Sequence, residues 1–134
     1  MRLQQLEAWT LSAVERALAG HKVEDNRVEL KSEWPDPGYK TARRIAAHAN
    51  SANSDDILWV IGIDEKAHKV VPISQVELAN WWPRVQRGFD GPAPELHNLS
   101  VTTDSGQVEA LHFTTNQAPY VNTEGGGQVE REIP

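Results

Sequence analysis

The chain contains no cysteine. That excludes disulfides, thiolate metal sites and cysteine nucleophiles, and it is compatible with a reducing, cytoplasmic setting. No apolar run approaches the roughly 20 residues needed to cross a bilayer. The N-terminus is amphipathic and lacks the apolar core of a secretion signal, so no membrane partner is expected. Positive charge is also short: 13 Lys and Arg stand against 19 Asp and Glu, for a net charge of −6. This argues against a bulk, non-specific nucleic-acid coat, which is normally basic. A local basic patch, or a metal held by carboxylates, remains compatible with it. There is no Gly-x-Ser-x-Gly elbow and no phosphate loop. Gly125-Gly126-Gly127 is followed by neither a lysine nor a helix and reads as a hairpin turn or a flexible segment. His21, His48, His68, His97 and His112 form no His-x-x-x-His pair and have no cysteine to join, which argues against zinc. His48, beside Ala47 and Ala49 on a helix, reads as structural.

What is present is ordinary for one globular domain with a single modest core: 134 residues, 39% hydrophobic and 24% charged. The five tryptophans point to a well-packed core or an aromatic binding face. Leu3, Leu6, Trp9, Val14 and Leu18 predict a helix over 1–20 that stops at Gly20. Thr10 and Ser12 weaken its middle and admit a second short helix from Ser12. A strand over 27–32 follows, then a loop enforced by Pro35, Pro37 and Gly38. A second helix over 39–53 packs through Ala42, Ile45, Ala46 and Ala49. Residues 57–63 form the most apolar run and predict a central strand buried on both faces. A turn and a short return strand over 69–72 come next. Ser74, with Glu77 in the capping-box position, predicts the start of a third helix that Pro83 kinks or splits. The adjacent Trp81 and Trp82 point roughly 100° apart on it, one into the core and one at its boundary. A hairpin turns at Asp104-Ser105-Gly106, between strands over 96–103 and 108–115. Further short strands are expected at 119–121 and 129–133. The predicted class is α+β, a mixed and mainly antiparallel sheet with about three packed helices. The end at Pro134, without a closing element, leads us to expect one domain of a longer protein or a trimmed chain.

Val28-Glu29-Leu30-Lys31 alternates apolar and charged residues. The plain reading of Glu29 and Lys31 is a solvated strand face. The chemical reading joins them to Glu24 upstream and Asp64 downstream. Phosphodiester cleavage uses a hard divalent cation such as magnesium or manganese to orient water and neutralise charge, and such cations prefer carboxylate oxygens. A neighbouring lysine can stabilise the developing negative charge. Arg27, Lys31, Lys40, Arg43 and Arg44 fall in the first strand and second helix. They form either a local cationic patch for phosphates or an ordinary solvated face. Trp34 and Tyr39 flank the proline loop, where they either stack on exposed bases or anchor the loop.

The ordered series Val28-Glu29-Leu30-Lys31, Ile45-Ala46-Ala47-His48-Ala49-Asn50-Ser51 and Ile57-Leu58-Trp59-Val60-Ile61-Gly62-Ile63-Asp64-Glu65 resembles the Schlafen AlbA-like domain, a family described as DNA-binding. Pro119-Tyr120-Val121 and the segment 129–134 are similar to its C-terminal strands, so the resemblance covers roughly 24–134. It implies nucleic-acid binding, to DNA or RNA. In vertebrate Schlafen proteins, similar domains are metal-dependent endoribonucleases acting on structured RNA such as tRNA through two glutamates and an aspartate. Glu24, Glu29 and Asp64 stand at the matching positions. The resemblance therefore implies that these three hold magnesium or manganese, with Lys31 contacting phosphate. Many bacterial members are described as DNA-binding or regulatory modules without demonstrated activity. The alternative is thus a non-catalytic DNA-binding or protein-interaction module of a larger regulatory protein. The vertebrate enzymes grip RNA with paired copies of the domain, which would make a single copy a homodimer. One departure stands out: relatives usually carry glycines where this chain has Asn53-Ser54-Asp55-Asp56.

Overall fold

The first helix, α1 (Leu3–Leu18), is continuous. Thr10 does not break it, because its hydroxyl donates to the Leu6 carbonyl at 2.8 Å and so has a partner inside the core. Gly20 ends it in a left-handed conformation (φ +85°). The Gly20 and His21 amides donate back to Ala17 and Arg16, the two bonds of a Schellman stop. The buried stripe is Leu6, Thr10, Ala13, Val14 and Ala17. Leu3, expected on that stripe, is exposed.

In this computed structural model, residues 1–25 and 27–123 are described. After α1 come β1 (Val28–Lys31), α2 (Tyr39–Ser51), β2 (Ile57–Ile61), β3 (Ile63–Asp64), β4 (Lys69–Val70), α3 (Leu78–Gln86), β5 (Glu95–Thr103) and β6 (Gly106–Thr114). The main sheet has the order β1-β2-β6-β5. β1 runs parallel to β2, and the other two pairings are antiparallel. β3 and β4 make a separate two-stranded ribbon. The fold is α+β, with three helices on a mixed sheet.

The sheet is covered on both faces, so apolar side chains form two clusters where composition alone led us to expect one core. Ile57, Trp59, Ile61, Leu111 and Phe113 face α2 and α3. Val28, Leu30, Leu58, Val60 and Ala110 face α1. Every residue of β2 is buried, as its unbroken apolar run requires. The run nevertheless ends as a sheet strand at Ile61. Gly62 takes φ +114°, donates to the Lys31 carbonyl and accepts from the Val71 amide. This turns Ile63 and Asp64 out of the sheet and into the ribbon.

α3 begins later than the Ser74 cap predicts. Its N-cap is Glu77, while the Ser74 amide and hydroxyl are bound to the Glu33 carboxylate. The helix runs unsplit through Pro83. Trp81 is buried and donates its indole N–H to the Pro35 carbonyl. Trp82 is partly buried against Phe113. The small residues of α2 admit the end of α3: a Cβ added at Gly88 would stand 2.5 Å from the Ala42 methyl. Residues 119–121 form no strand. They are fastened by a two-way bond between the Asn50 carboxamide and the Tyr120 backbone, next to a bridge between Phe89 and Asn122. The Gly125-Gly126-Gly127 turn and the strand expected over 129–133 lie outside the described residues.

Candidate nucleic-acid interface

Alternation along β1 decides the site. Val28 and Leu30 enter the α1 layer, so Glu29 and Lys31 point to the α2 side of the sheet. Because α2 covers that side, Glu29 is buried (6% exposed), not the solvated strand residue of the plain reading. A buried carboxylate needs a partner, and α2 supplies one. Arg44 Nη2 donates to Glu29 Oε1 at 3.0 Å and to Oε2 at 3.3 Å. Lys31 Nζ lies 3.4 Å from Oε2 on the other side. The bond to Glu29 raises the Arg44 pKa further above its ordinary value. The Arg44 side chain is still 60% exposed, so donors remain turned outward.

Glu24 joins this group from the segment before β1. Its Oε2 accepts the Leu30 amide at 2.9 Å. Burial raises its pKa above the ordinary carboxylate value; the Leu30 amide opposes this, and the negative charges of Glu29 and Glu65 add to it. Asp64 is engaged elsewhere: its Oδ1 accepts the Ala67 amide at 3.0 Å and closes the β3–β4 turn. Among the described residues, no three Asp, Glu or His side chains are grouped closely enough to hold a metal ion. Glu24 and Glu29 have the hard oxygen donors that magnesium or manganese prefers, but Glu29 is already paired with two cations and Asp64 Oδ1 is bonded in its own turn. In this arrangement the three carboxylates do not fit a divalent cation.

The outer face of α2 carries the cations. Lys40, Arg43, Arg44, Asn50 and Asn122 line an open depression of about 610 Å³ that has no acidic residue on its wall among the described residues. The Arg43 guanidinium lies 5.4 Å from the Tyr39 ring centre. Lys31 lies inward of this face, at the Glu29 pair. Arg27 does not belong to the patch. Its guanidinium sits over Trp9 of α1 at 4.8 Å and its Nε donates to the Asp56 carbonyl. The strand expected over 27–32 includes Arg27, but β1 starts at Val28, so the alternation does not reach Arg27. Trp34 anchors the proline loop edge-on against Trp81, centroids 5.2 Å apart.

Two residues gained importance from the structure. His48, on the inner side of α2, accepts the buried Trp59 indole N–H at Nδ1, 2.9 Å away. An indole only donates, so this nitrogen is bare and the ring is neutral. Burial lowers the His48 pKa; the Glu29 charge and the Asp25 carbonyl oppose this. Nε2 nevertheless meets no full hydrogen-bond geometry among the described residues. Asn50, near the end of α2, tethers residue 120 beside the cationic depression. Neither role has a local signal, since each partner lies on another element. The turn before β2 is tight although it carries no glycine. Asn53 and Ser54 take φ +54° and +71°, and Asp56 turns to His112 on the α1 side.

No family model, curated protein or solved structure matches the chain. Among the described residues, no helix is long and apolar enough to cross a membrane.

Proposed function

We propose that this chain binds nucleic acid, DNA or RNA, through the phosphate backbone on the outer face of α2. One observation carries the reading: Lys40, Arg43 and Arg44 line one depression with no acidic residue on its wall among the described residues, in a chain whose net charge is −6. Segregation of scarce positive charge against the overall balance is what local phosphate contact needs. The neighbouring carboxamides can donate to phosphate or sugar oxygens. Glu29 moderates the site, because it holds Arg44 and Lys31 partly in check.

A second reading, favoured by the gathering of Glu24, Glu29 and Glu65 charges beside Lys31, is metal-dependent endoribonuclease action on structured RNA such as tRNA. It requires Glu29 to exchange a cation and Asp64 to leave its turn. A non-catalytic protein-interaction module is the remaining alternative, and the homodimer implied by paired relatives is part of the proposal.

Anisotropy titrations with labelled single- and double-stranded DNA and RNA test this at increasing salt. Affinity is expected to fall steeply with salt, and Lys40→Ala, Arg43→Ala and Arg44→Ala should each lower the log–log slope by about 1. Glu29→Gln separates the readings. It should tighten binding by freeing Arg44, whereas in a nuclease it should abolish cleavage of a tRNA panel with magnesium or manganese. No binding even at low salt would overturn the proposal in favour of protein interaction. Sedimentation, with and without nucleic acid, reads the assembly state.

A further inference from the structure

On the same face of the sheet, but at its opposite edge, a half-open groove of about 610 Å³ lies between the β5–β6 hairpin and the chain from β4 to α3. Its volume is in the range of small-molecule sites, roughly 300–1,000 Å³. One wall is apolar, with Val70, Ile73, Val76, Leu78 and the Trp34 ring. The Glu33 bonds to the Ser74 amide and hydroxyl pin this wall in place. The floor is polar, and among the described residues its one ionisable side chain is Glu109 of β6.

Glu109 is held in position. Asn98 Nδ2 donates to its Oε2 at 3.0 Å and Ser100 Oγ to its Oε1 at 2.6 Å. Both donors come from β5, which pairs Ser100 directly with Glu109. The carboxylate has no basic partner among the described residues. An oriented carboxylate without a counter-charge, facing an apolar wall that includes an indole, is complementary to a cation on an apolar body.

We propose that this groove binds a small organic cation, with an ammonium or guanidinium head at Glu109 and an apolar portion along the Val70–Val76 wall and Trp34. The site is separate from the α2 depression: Glu109 and the β1 site are two strands apart, about 10 Å, and the two have opposite charge. The assignment does not depend on nucleic-acid binding.

The test uses 4-phenylbutylammonium as probe, with 4-phenylbutanol and 4-phenylbutanoate as neutral and anionic matches, followed by amide and indole NMR shifts of the whole chain. The ammonium should bind saturably, shifting Trp34, Val71, Ser100 and Gln107 signals, and the two matches should bind at least about tenfold more weakly. Glu109→Gln keeps an acceptor for Asn98 Nδ2, while its amide N–H can donate to the Ser100 hydroxyl, and should weaken the ammonium, but not the alcohol, by about tenfold. Gln107→Arg, at an exposed rim position two residues along β6, should block the ammonium by supplying an internal cation. It covers the case in which Glu109→Gln fails to fold. Equal binding of ammonium and alcohol, an ammonium affinity unchanged in both variants, or no saturable shift at these residues would each overturn the proposal. So would binding seen only with an arginine-containing peptide and not with the free amine.

Discussion

Two histidines stand on opposite faces of the sheet, each beside a tryptophan and close to a carboxylate, and they are held in opposite ways. His48 receives an N–H from the Trp59 indole, so its Nδ1 must stay unprotonated. His112 places Nε2 2.8 Å from Asp56 Oδ2. An ionised carboxylate only accepts, so that nitrogen carries the proton. His48 is near Glu29, but Glu29 is taken up by Arg44 and Lys31. His112 has Asp56 within bonding distance and packs edge-on to Trp9. Which group reaches the ring first, a donor or an acceptor, sets the role of the residue. The same residue type serves as a neutral acceptor under α2 and as a donor under α1.

The most disruptive way to break this contrast is Asp56→Ala. It leaves a buried ring N–H of His112 without its acceptor and should lower stability by about 2 kcal/mol. Asp56→Asn keeps an acceptor and should cost less than half of that. The midpoint of urea denaturation measures both, and an unchanged midpoint for the alanine variant would show that the contact is not stabilising. His48→Phe should cost about 1 kcal/mol at pH 7, because the Trp59 indole loses its acceptor.

The same substitution removes a pH dependence. The folded His48 pKa lies below its ordinary 6.5, so the unfolded chain binds the proton more readily. The stability that neutral His48 retains is complete above pH 6.5 and is lost as pH falls through and below that value. Denaturation midpoints between pH 7 and about 5 should fall in the wild type by more than in His48→Phe.

Ser54→Gly acts on the turn that separates the two histidine environments. Ser54 sits at φ +71°, where a side chain is strained and glycine is not, so a gain of about 0.5–1 kcal/mol is expected. A loss would show that the serine hydroxyl contributes more than the strain costs.

The smallest effect is expected from Glu24→Gln, which keeps an acceptor for the Leu30 amide. The folded carboxyl pKa is raised above 4.5 by burial, so the native state binds this proton more readily than the unfolded chain. That contribution is present below pH 4.5 and is lost as pH rises through the raised value. The variant should therefore be slightly more stable than wild type at neutral pH and lack this fall. Thermal melts at pH 4 and 7 (chosen to lie on either side of the carboxylate range) give the comparison.

Much of the fold was legible because local pattern and tertiary environment agree. α1 ends at the glycine that its C-terminus needs, and β2 is buried on both faces as its composition requires. The β5–β6 hairpin turns at Asp104-Ser105-Gly106 with the expected strands on either side. The disagreements share a cause. Ser74 looks like a cap until Glu33, 41 residues away in sequence, takes its amide and hydroxyl. Arg27 looks like a neighbour of Lys31 until Trp9 and Asp56 draw it to the other side. Residues 57–63 read as one strand because apolar periodicity is blind to the single positive φ at Gly62 that divides it. The candidate site was visible as residue types, in Glu24, Glu29, Lys31, Arg43 and Arg44, but not as pairings.

By itself the sequence determined the class of the fold and the parity of β1, since alternating side chains must take opposite faces of a sheet. It also determined that positive charge is scarce and that Lys40, Arg43 and Arg44 fall close together in one predicted helix, because composition and spacing need no partner to be read. Only the tertiary structure decided that Glu29 is buried and paired with two cations, that Asp64 closes a turn, and that Glu109 lines a groove with no counter-charge among the described residues. Each of these depends on which distant group comes within about 3 Å, and the energy of a buried charge or hydrogen bond is set by that partner and not by the residue that carries it.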